Sequence, residues 1–202
     1  MTDPLRMFLV MRRGAVETLE RAAVLGGAAA VACVRSFEID PEWRERPGKV
    51  CLRARNPAQC EAVLEEPHAL AGDPHGESVA ALPPRRRSQR GPLLERLQAM
   101  SSDLGAAPAE LGEPPPGAVT YVLNPDLEMS SGKVVAQVAH AAVMAAAELP
   151  AWADAGAPGR LVAPRGFAEL TAREDLAARV VDAGLTEVAP GTVTVLALPP
   201  TG

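Results

Sequence analysis

Cysteine, lysine and long apolar runs are scarce in this sequence, and each shortage narrows the class of protein. The three cysteines are an odd number without C-x-x-C spacing, which argues against a disulfide scaffold or a zinc site and predicts reduced thiols. The longest apolar candidate, residues 22–34, is too short to span a membrane, and no basic-then-apolar signal peptide begins the chain. We therefore expect a cytoplasmic protein without a membrane partner.

Positive charge is scarce as well. Twenty lysines and arginines stand against 25 acidic residues, a formal net charge of −5, which argues against a protein that coats nucleic acid but does not exclude a local basic groove. Only two of the basic residues are lysines, Lys49 and Lys133. Because the pKa of a compact ammonium shifts readily, a lysine kept in an arginine-rich sequence points to a chemical role. We apply this argument to Lys133, since the sequence shows no chemistry around Lys49.

Residues 129–143 predict a buried helix that carries one polar stripe. A serine just before the helix can accept a hydrogen bond from a free N–H group of the first turn, and most residues that follow are valine or alanine. Lys133, Gln137 and His140 interrupt this run at offsets of 0, 4 and 7, so they share one face. Lys133 lies beside free N–H groups and favours a site for an anion or oxyanion. Structural roles are the alternative for Gln137 and His140.

The order of predicted elements repeats in the two halves of the chain. The first half predicts strands at 7–11, 49–53 and 78–82 and helices at 15–34 and 57–65; the second half predicts strands at 119–123, 160–163, 180–181 and 192–198 and helices at 130–149 and 166–178. A shift of 113 residues superposes the first strand and helix, and a shift of 116 superposes the last strand. In this alignment the polar stripe is lost from the first copy, where the corresponding residues are Glu20, Val24 and Gly27.

Residues 85–117 differ in composition from both copies. They begin with four arginines within six positions, contain a short helical pattern, and end in a Pro- and Ala-rich stretch, as is typical of a linker. The basic cluster is either a solvated part of the linker or a phosphate contact for a nucleic-acid backbone. The predicted organisation is therefore a degenerate copy at 1–84, a basic and then Pro-rich linker with a short helix at 85–117, and a site-bearing domain at 118–202.

Two separated motifs in the second half carry a family resemblance. The first reads G-K-x-x-A-Q-x-x-H-A from residue 132, and the second reads D-A-G-x-T-x-x-x-P-G-T-x-T from residue 182. With these motifs, residues 118–199 resemble the type 2 peptidyl-tRNA hydrolases. The resemblance implies an α/β fold, a small mixed β-sheet with helices on both faces. We therefore expect two tandem copies packed as an internal pseudo-dimer, hence a monomer in place of the family's homodimer.

The resemblance also implies an activity. Family members hydrolyse the ester between a peptide and the 3′ end of tRNA without a metal or cofactor, so peptidyl-tRNA is the expected partner. Such hydrolysis needs a placed water, a base or orienting acceptor, and donors for the developing oxyanion. The catalytic positions of the family fall on Lys133, Asp182, Thr186 and Thr194. Substrate-binding residues are expected at Gly132, Gln137, His140, Thr192, Arg85, Arg86 and Arg87.

The second half departs from the family pattern by losing positive charge. Ser131 and Glu128 stand where the family often has lysine, and residues 117–202 contain five basic against nine acidic residues. This loss keeps two other functions open. One is a catalytically inactive tRNA-binding or regulatory module of the same fold, and the other is an esterase for a smaller ester.

Overall fold

The computed structural model describes residues 3–101, 104–184 and 187–201. The first half contains β1 (Leu5–Arg12), α1 (Leu19–Ser36), α2 (Pro41–Glu45), β2 (Gly48–Ala54), α3 (Pro57–Leu64), β3 (Ala69–Gly72), β4 (Ser78–Arg86), α4 (Gly91–Arg96) and β5 (Gln98–Ala99). The second half contains β6 (Val119–Leu123), α5 (Ser131–Glu148), α6 (Pro150–Asp154), β7 (Gly159–Val162), α7 (Phe167–Thr171), β8 (Ala178–Val181) and β9 (Val193–Leu198). Among all the residues that the structure describes, no helix is both long enough and apolar enough to span a membrane.

The two halves form mixed sheets of the same topology. The first sheet has the order β3-β4-β1-β2-β5 and the second β8-β9-β6-β7. In each, a parallel pair (β1 with β2, β6 with β7) is continued by antiparallel strands. One face of each sheet packs on a long helix, and the other on short helices. The predicted α/β class, with two tandem copies of a small mixed sheet covered on both faces, is confirmed.

The long helices α1 and α5 join the two halves into an internal pseudo-dimer. They pack against each other, and one continuous apolar core contains residues of both helices and of both sheets. Close approach depends on glycine: a Cβ at Gly26 would lie 2.7 Å from Val135 Cγ1, and one at Gly27 would lie 3.2 Å from Ala142 Cβ. The interface is therefore built as tightly as a protein interior.

The structure corrects the alignment of the halves by one residue. Leu9 and Tyr121 occupy the same place in their sheets, and Thr18 and Ser130 cap the two long helices, so the shift there is 112 and not 113. A shift of 113 would match Tyr121, which faces the shared core, with Phe8, which faces the opposite side of its sheet. Because successive strand residues point to opposite faces, the sequence-based alignment is wrong.

The corrected alignment changes the counterparts of the polar stripe. The first half keeps a cation in the first turn of its long helix and lacks the amide and the imidazole. The pairs are Lys133 with Arg21, Gln137 with Leu25, and His140 with Ala28.

Several predicted boundaries were also wrong. Helix α1 begins at Leu19 and not at residue 15, because the Thr18 side chain accepts a hydrogen bond from Arg21 N and caps it there. The helix predicted at 166–178 ends at Thr171. Strand β4 continues to Arg86 through two prolines, and β5, inside the predicted linker, pairs with β2.

The five-residue helices α2 and α6 and the strand β3 were not predicted, because such short elements show no period. Helices α2 and α6 are equivalent in the two halves, since each buries a tryptophan that donates to a backbone oxygen at, or one residue before, the start of the next strand. Trp43 Nε1 lies 2.9 Å from Gly48 O, and Trp152 Nε1 lies 2.7 Å from Pro158 O.

Candidate active site

Asp182 lies immediately after β8, where backbone contacts with the next strand hold it. Its N–H donates to Thr192 O at 2.9 Å and its carbonyl accepts from Gly191 N at 2.8 Å. Its side-chain Oδ1 accepts from Gly184 N at 2.7 Å. Residue 184 has a φ of +72°, and a Cβ there would lie 2.6 Å from the Pro190 ring, so only glycine fits this turn. The second motif thus encodes the backbone that aims the carboxylate.

Helix α5 brings two donors to that carboxylate. Lys133 Nζ lies 2.5 Å from Asp182 Oδ2, and Gln137 Nε2 lies 2.6 Å from the same oxygen. Ser130 Oγ accepts from Lys133 N at 3.2 Å, which caps the helix and fixes the lysine in its first turn. Asp182 is only 6% exposed, so this is a buried ion pair whose carboxylate is stabilised by further hydrogen bonds.

Thr194 contacts Gln137, the second residue that binds the Asp182 carboxylate. Its Oγ1 donates to Gln137 Oε1 at 2.9 Å, and the residue has no exposed surface. The glutamine amide is therefore oriented by Thr194 on its oxygen side and by Asp182 on its nitrogen side. The family resemblance placed Thr194 among the catalytic positions, and in the structure its buried hydroxyl contacts the Gln137 side chain.

The environment of Asp182 keeps it ionised. Burial by itself raises the pKa of this carboxyl, but hydrogen bonds from Lys133, Gly184 N–H and Gln137, together with the lysine charge, outweigh burial and lower the pKa below its ordinary value. Burial also lowers the pKa of His140 to about 3, assisted by the charge of Lys49 and opposed by that of Asp182. His140 is therefore neutral at physiological pH.

An acidic side chain that the sequence analysis missed binds the residue that caps α5. Glu187 accepts from Ser130 N and Ser130 Oγ, each at 2.7 Å. The hairpin that carries Asp182 is thereby tied to the helix that carries Lys133. The T-x-x-x-P-G spacing held no signal for this contact, because residues 130 and 187 meet only in the folded chain.

The structure does not bring all the predicted site residues together. Gly132 is buried where a Cβ would lie 2.7 Å from Met100 O, so the lack of a side chain lets these two segments pack closely. Thr192 contributes its backbone oxygen to the hairpin, and Thr186 lies outside the described residues.

The predicted arginines make their contacts in the first half of the chain. Arg85 Nη1 lies 3.2 Å from Glu66 and Arg86 Nη2 lies 2.6 Å from Glu42, whereas Arg87 is exposed. Among the described residues, no group of three or more histidine, cysteine or acidic side chains could hold a metal ion.

The first half has an acid at the position equivalent to Asp182. Asp73 follows β3, its N–H donates to Glu77 O at 2.9 Å, and its Oδ1 accepts from His75 N at 2.9 Å. Arg21, the counterpart of Lys133, binds Glu77 at 2.9 Å in a half-exposed ion pair. The acid thus survives in the first half without the buried lysine and glutamine that surround Asp182.

Comparisons with known proteins identify relatives of the second half of the chain. Residues 118–159, which include the first motif, match the family "Peptidyl-tRNA hydrolase PTH2". A peptidyl-tRNA hydrolase of Staphylothermus marinus is 35% identical over 96 residues, 39% of this chain and 78% of that protein. Those of Thermococcus onnurineus and Methanopyrus kandleri are each 38% identical over 94 and 93 residues, 39% of this chain and 80% of theirs. No solved structure matches. The chain therefore belongs to the peptidyl-tRNA hydrolase PTH2 family.

Proposed function

We propose that this chain hydrolyses the ester between a peptide and the 3′ end of tRNA at a site centred on Asp182. The observation that carries the proposal is the buried carboxylate held by Lys133 at 2.5 Å and Gln137 at 2.6 Å. The names of the relatives support the substrate. Water adds to the ester carbonyl, the acyl–oxygen bond breaks, the peptide leaves as a carboxylic acid, and tRNA regains its 3′ hydroxyl.

Asp182 is suited to orienting the attacking water. Because its pKa is lowered, it is a weak base that stays ionised at neutral pH. Oδ1 accepts from Gly184 N at 2.7 Å, and a carboxylate oxygen has two lone pairs. A water molecule can therefore donate to the same oxygen and present its own lone pair to the ester carbon.

Lys133 is suited to stabilising the negative charge that develops on the carbonyl oxygen. Its ammonium lies in the first turn of α5, where the N–H groups and the helix dipole also favour an anion. Preorganised donors of this kind are worth about 3 kcal/mol in the transition state of acyl transfer. Gln137 and Thr194 hold the carboxylate in place, and Thr186, Thr192 and neutral His140 are proposed substrate contacts.

The paired halves are proposed to replace a homodimer. On this view residues 1–84 and 118–202 are copies made by internal duplication, joined through 85–117, and α1 covers the face of α5 that a partner chain would otherwise cover. We expect a monomer that works in the cytoplasm, where tRNA is used. Sedimentation equilibrium tests this expectation, and a dimer that resists dilution would contradict it.

The experiment that tests the activity is turnover of peptidyl-tRNA by the full chain. Lys133→Ala and Asp182→Asn should each lower kcat/KM by about 100-fold or more, since each removes a group that acts in the transition state. Arg21→Ala and Asp73→Asn are matched controls, because they make similar changes at the equivalent positions of the first half and should leave turnover unchanged. Full activity in either site variant would refute the mechanism.

An inactive tRNA-binding or regulatory module is the alternative, kept open because Glu128 and Ser131 stand where the family often has lysine. Tight binding of tRNA by the wild-type chain, without release of peptide, would establish this alternative. An esterase for smaller substrates would instead cleave a model ester at a rate insensitive to salt and leave peptidyl-tRNA intact.

A further inference from the structure

A cavity of about 310 Å³ lies on the outer side of the first sheet, on the face opposite α1. Its lining residues are Pro4, Arg6, Phe8, Val50, Arg87 and Arg90. Half of this lining is arginine, and none of these residues is acidic. Three guanidinium groups that share one concave surface repel each other, so an anion bound between them would be strongly favoured.

Contacts of the three arginines show how they are held. Arg90 lies over the Phe8 ring, with 5.5 Å between Cζ and the ring centroid, and donates through Nη2 to Leu94 O at 3.1 Å. Its Nε is buried, and the described residues offer it no hydrogen-bond acceptor. Arg6 lies over Gly48, where a Cβ would be 1.9 Å from Nη1, so this glycine makes room for the guanidinium. Arg87 is exposed at the rim.

The neighbouring arginines are neutralised, and this contrast makes the cavity distinctive. Arg85 is paired with Glu66 at 3.2 Å and Arg86 with Glu42 at 2.6 Å. Asp3 accepts from Ser88 N at 3.2 Å and Ser88 Oγ at 2.5 Å, and its charge also stabilises that of Arg86. The positive charge left for a ligand in this region therefore belongs to the cavity and not to the whole basic cluster.

We propose that this cavity binds one backbone phosphate of the tRNA substrate, through Arg6, Arg87 and Arg90. A planar guanidinium matches the oxygens of a phosphate with two parallel hydrogen bonds, and the apolar floor made by Phe8 and Val50 strengthens such bonds by excluding water. A volume of about 310 Å³ admits a nucleotide unit. This inference rests on the proposed function and gives the first half a role in substrate binding, because the second half is acidic.

The test compares two double variants with the same loss of charge. Arg6→Gln with Arg87→Gln empties the cavity of two cations while leaving Arg90 in its packing position. Arg44→Gln with Arg46→Gln is the control, since it removes two exposed arginines that do not line the cavity. The single variant Arg87→Gln changes only an exposed side chain, so it should still fold if the double variant does not.

Binding of uncharged tRNA is measured over a range of salt, and turnover is measured on peptidyl-tRNA and on an N-blocked aminoacyl ester of adenosine, which has no phosphate. The cavity variant should raise Kd and the KM for peptidyl-tRNA by about tenfold, reduce the slope of log K against log salt by about one, and leave kcat unchanged. Turnover of the adenosine ester should stay at the wild-type value. The control should change Kd by less than threefold.

Two outcomes would overturn the proposal. One is a tRNA affinity and salt slope in the cavity variant equal to those of the control. The other is binding of AMP that depends on Arg6 and Arg87 while tRNA binding does not, which would assign the cavity to a free nucleotide. A third outcome separates the two proposals. If the wild-type chain binds tRNA but releases no peptide, and the cavity variant loses that binding, the cavity proposal is upheld and only the proposed hydrolysis is refuted.

Discussion

The charge of Lys49, in the first half of the chain, helps to lower the pKa of His140 in the second half. The two residues come together because β2 packs against α5. The ammonium of Lys49 lies 4.9 Å from the centre of the Trp43 ring and donates to Pro47 O at 3.1 Å. Burial lowers the pKa of Lys49 to about 7, opposed by the nearby Cys51. A residue around which the sequence showed no chemistry thus acts electrostatically on a residue of the other half.

Replacing Lys49 by methionine should change how stability depends on pH. The folded chain holds this amine at a pKa of about 7, whereas an unfolded lysine has a pKa of about 10.4. Between these values the unfolded state binds the extra proton, so wild-type stability rises with pH, by at most about 1.4 kcal/mol per pH unit. Urea unfolding from about pH 7 to 8, below the titration of free thiols, should show a steeper rise in the wild type, because the neutral His140 adds the same smaller slope to both proteins. Parallel curves for the two proteins would contradict the buried amine.

Replacing Asp182 by asparagine should destabilise the fold at neutral pH, by about 1–3 kcal/mol, because the Lys133 charge loses its partner. The pKa of Asp182 is lowered in the folded state, so its contribution is complete above the unfolded pKa of about 4 and is lost as pH falls through the folded pKa. The gap between variant and wild type should therefore narrow below pH 4. Unfolding by urea at pH 3, 5 and 7 measures it, and a constant gap would refute an ionised Asp182.

Replacing Thr194 by valine should uncouple Gln137 from the site. Valine fills the same space but leaves Gln137 Oε1 buried without the donor that lies 2.9 Å away, at a cost of about 1–3 kcal/mol in the free energy of unfolding. We expect kcat on peptidyl-tRNA to fall about tenfold. Gln137→Leu should reproduce the fall, and the double variant should add little, since the two residues act in series. Fully additive losses would show that they act independently.

Replacing Tyr121 by phenylalanine should stabilise the protein. The ring has no exposed surface, and the described residues give its hydroxyl no hydrogen-bond partner. Removing a buried, unsatisfied hydroxyl should add about 1 kcal/mol to the free energy of unfolding. Thermal unfolding by calorimetry checks this value. A loss of more than 1 kcal/mol would mean that the hydroxyl is bonded in solution.

Local features of the fold and site were predictable where they depend on neighbours in the chain. Ser130 marked the start of α5, and spacing placed Lys133 and Gln137 on one face. The second motif contained the turn glycine that aims Asp182. Helices α2 and α6 were beyond such reasoning because five residues carry no helical period, and the 112-residue alignment required the cross-strand register of two sheets.

By itself the sequence indicated the class of fold, its two units of like order and, through the family resemblance, the acid and amine of the candidate site. These follow from capping, periodicity and motif spacing, which act over a few residues. Only the tertiary structure decided which charges are buried and which groups meet: the charge of Lys49 acts on His140, Glu187 binds Ser130, and three arginines with no acidic residue line the cavity. The physical reason is that exclusion of water, which makes a charge reactive or costly, depends on residues that lie far apart in the chain and meet only when the sheets and helices pack.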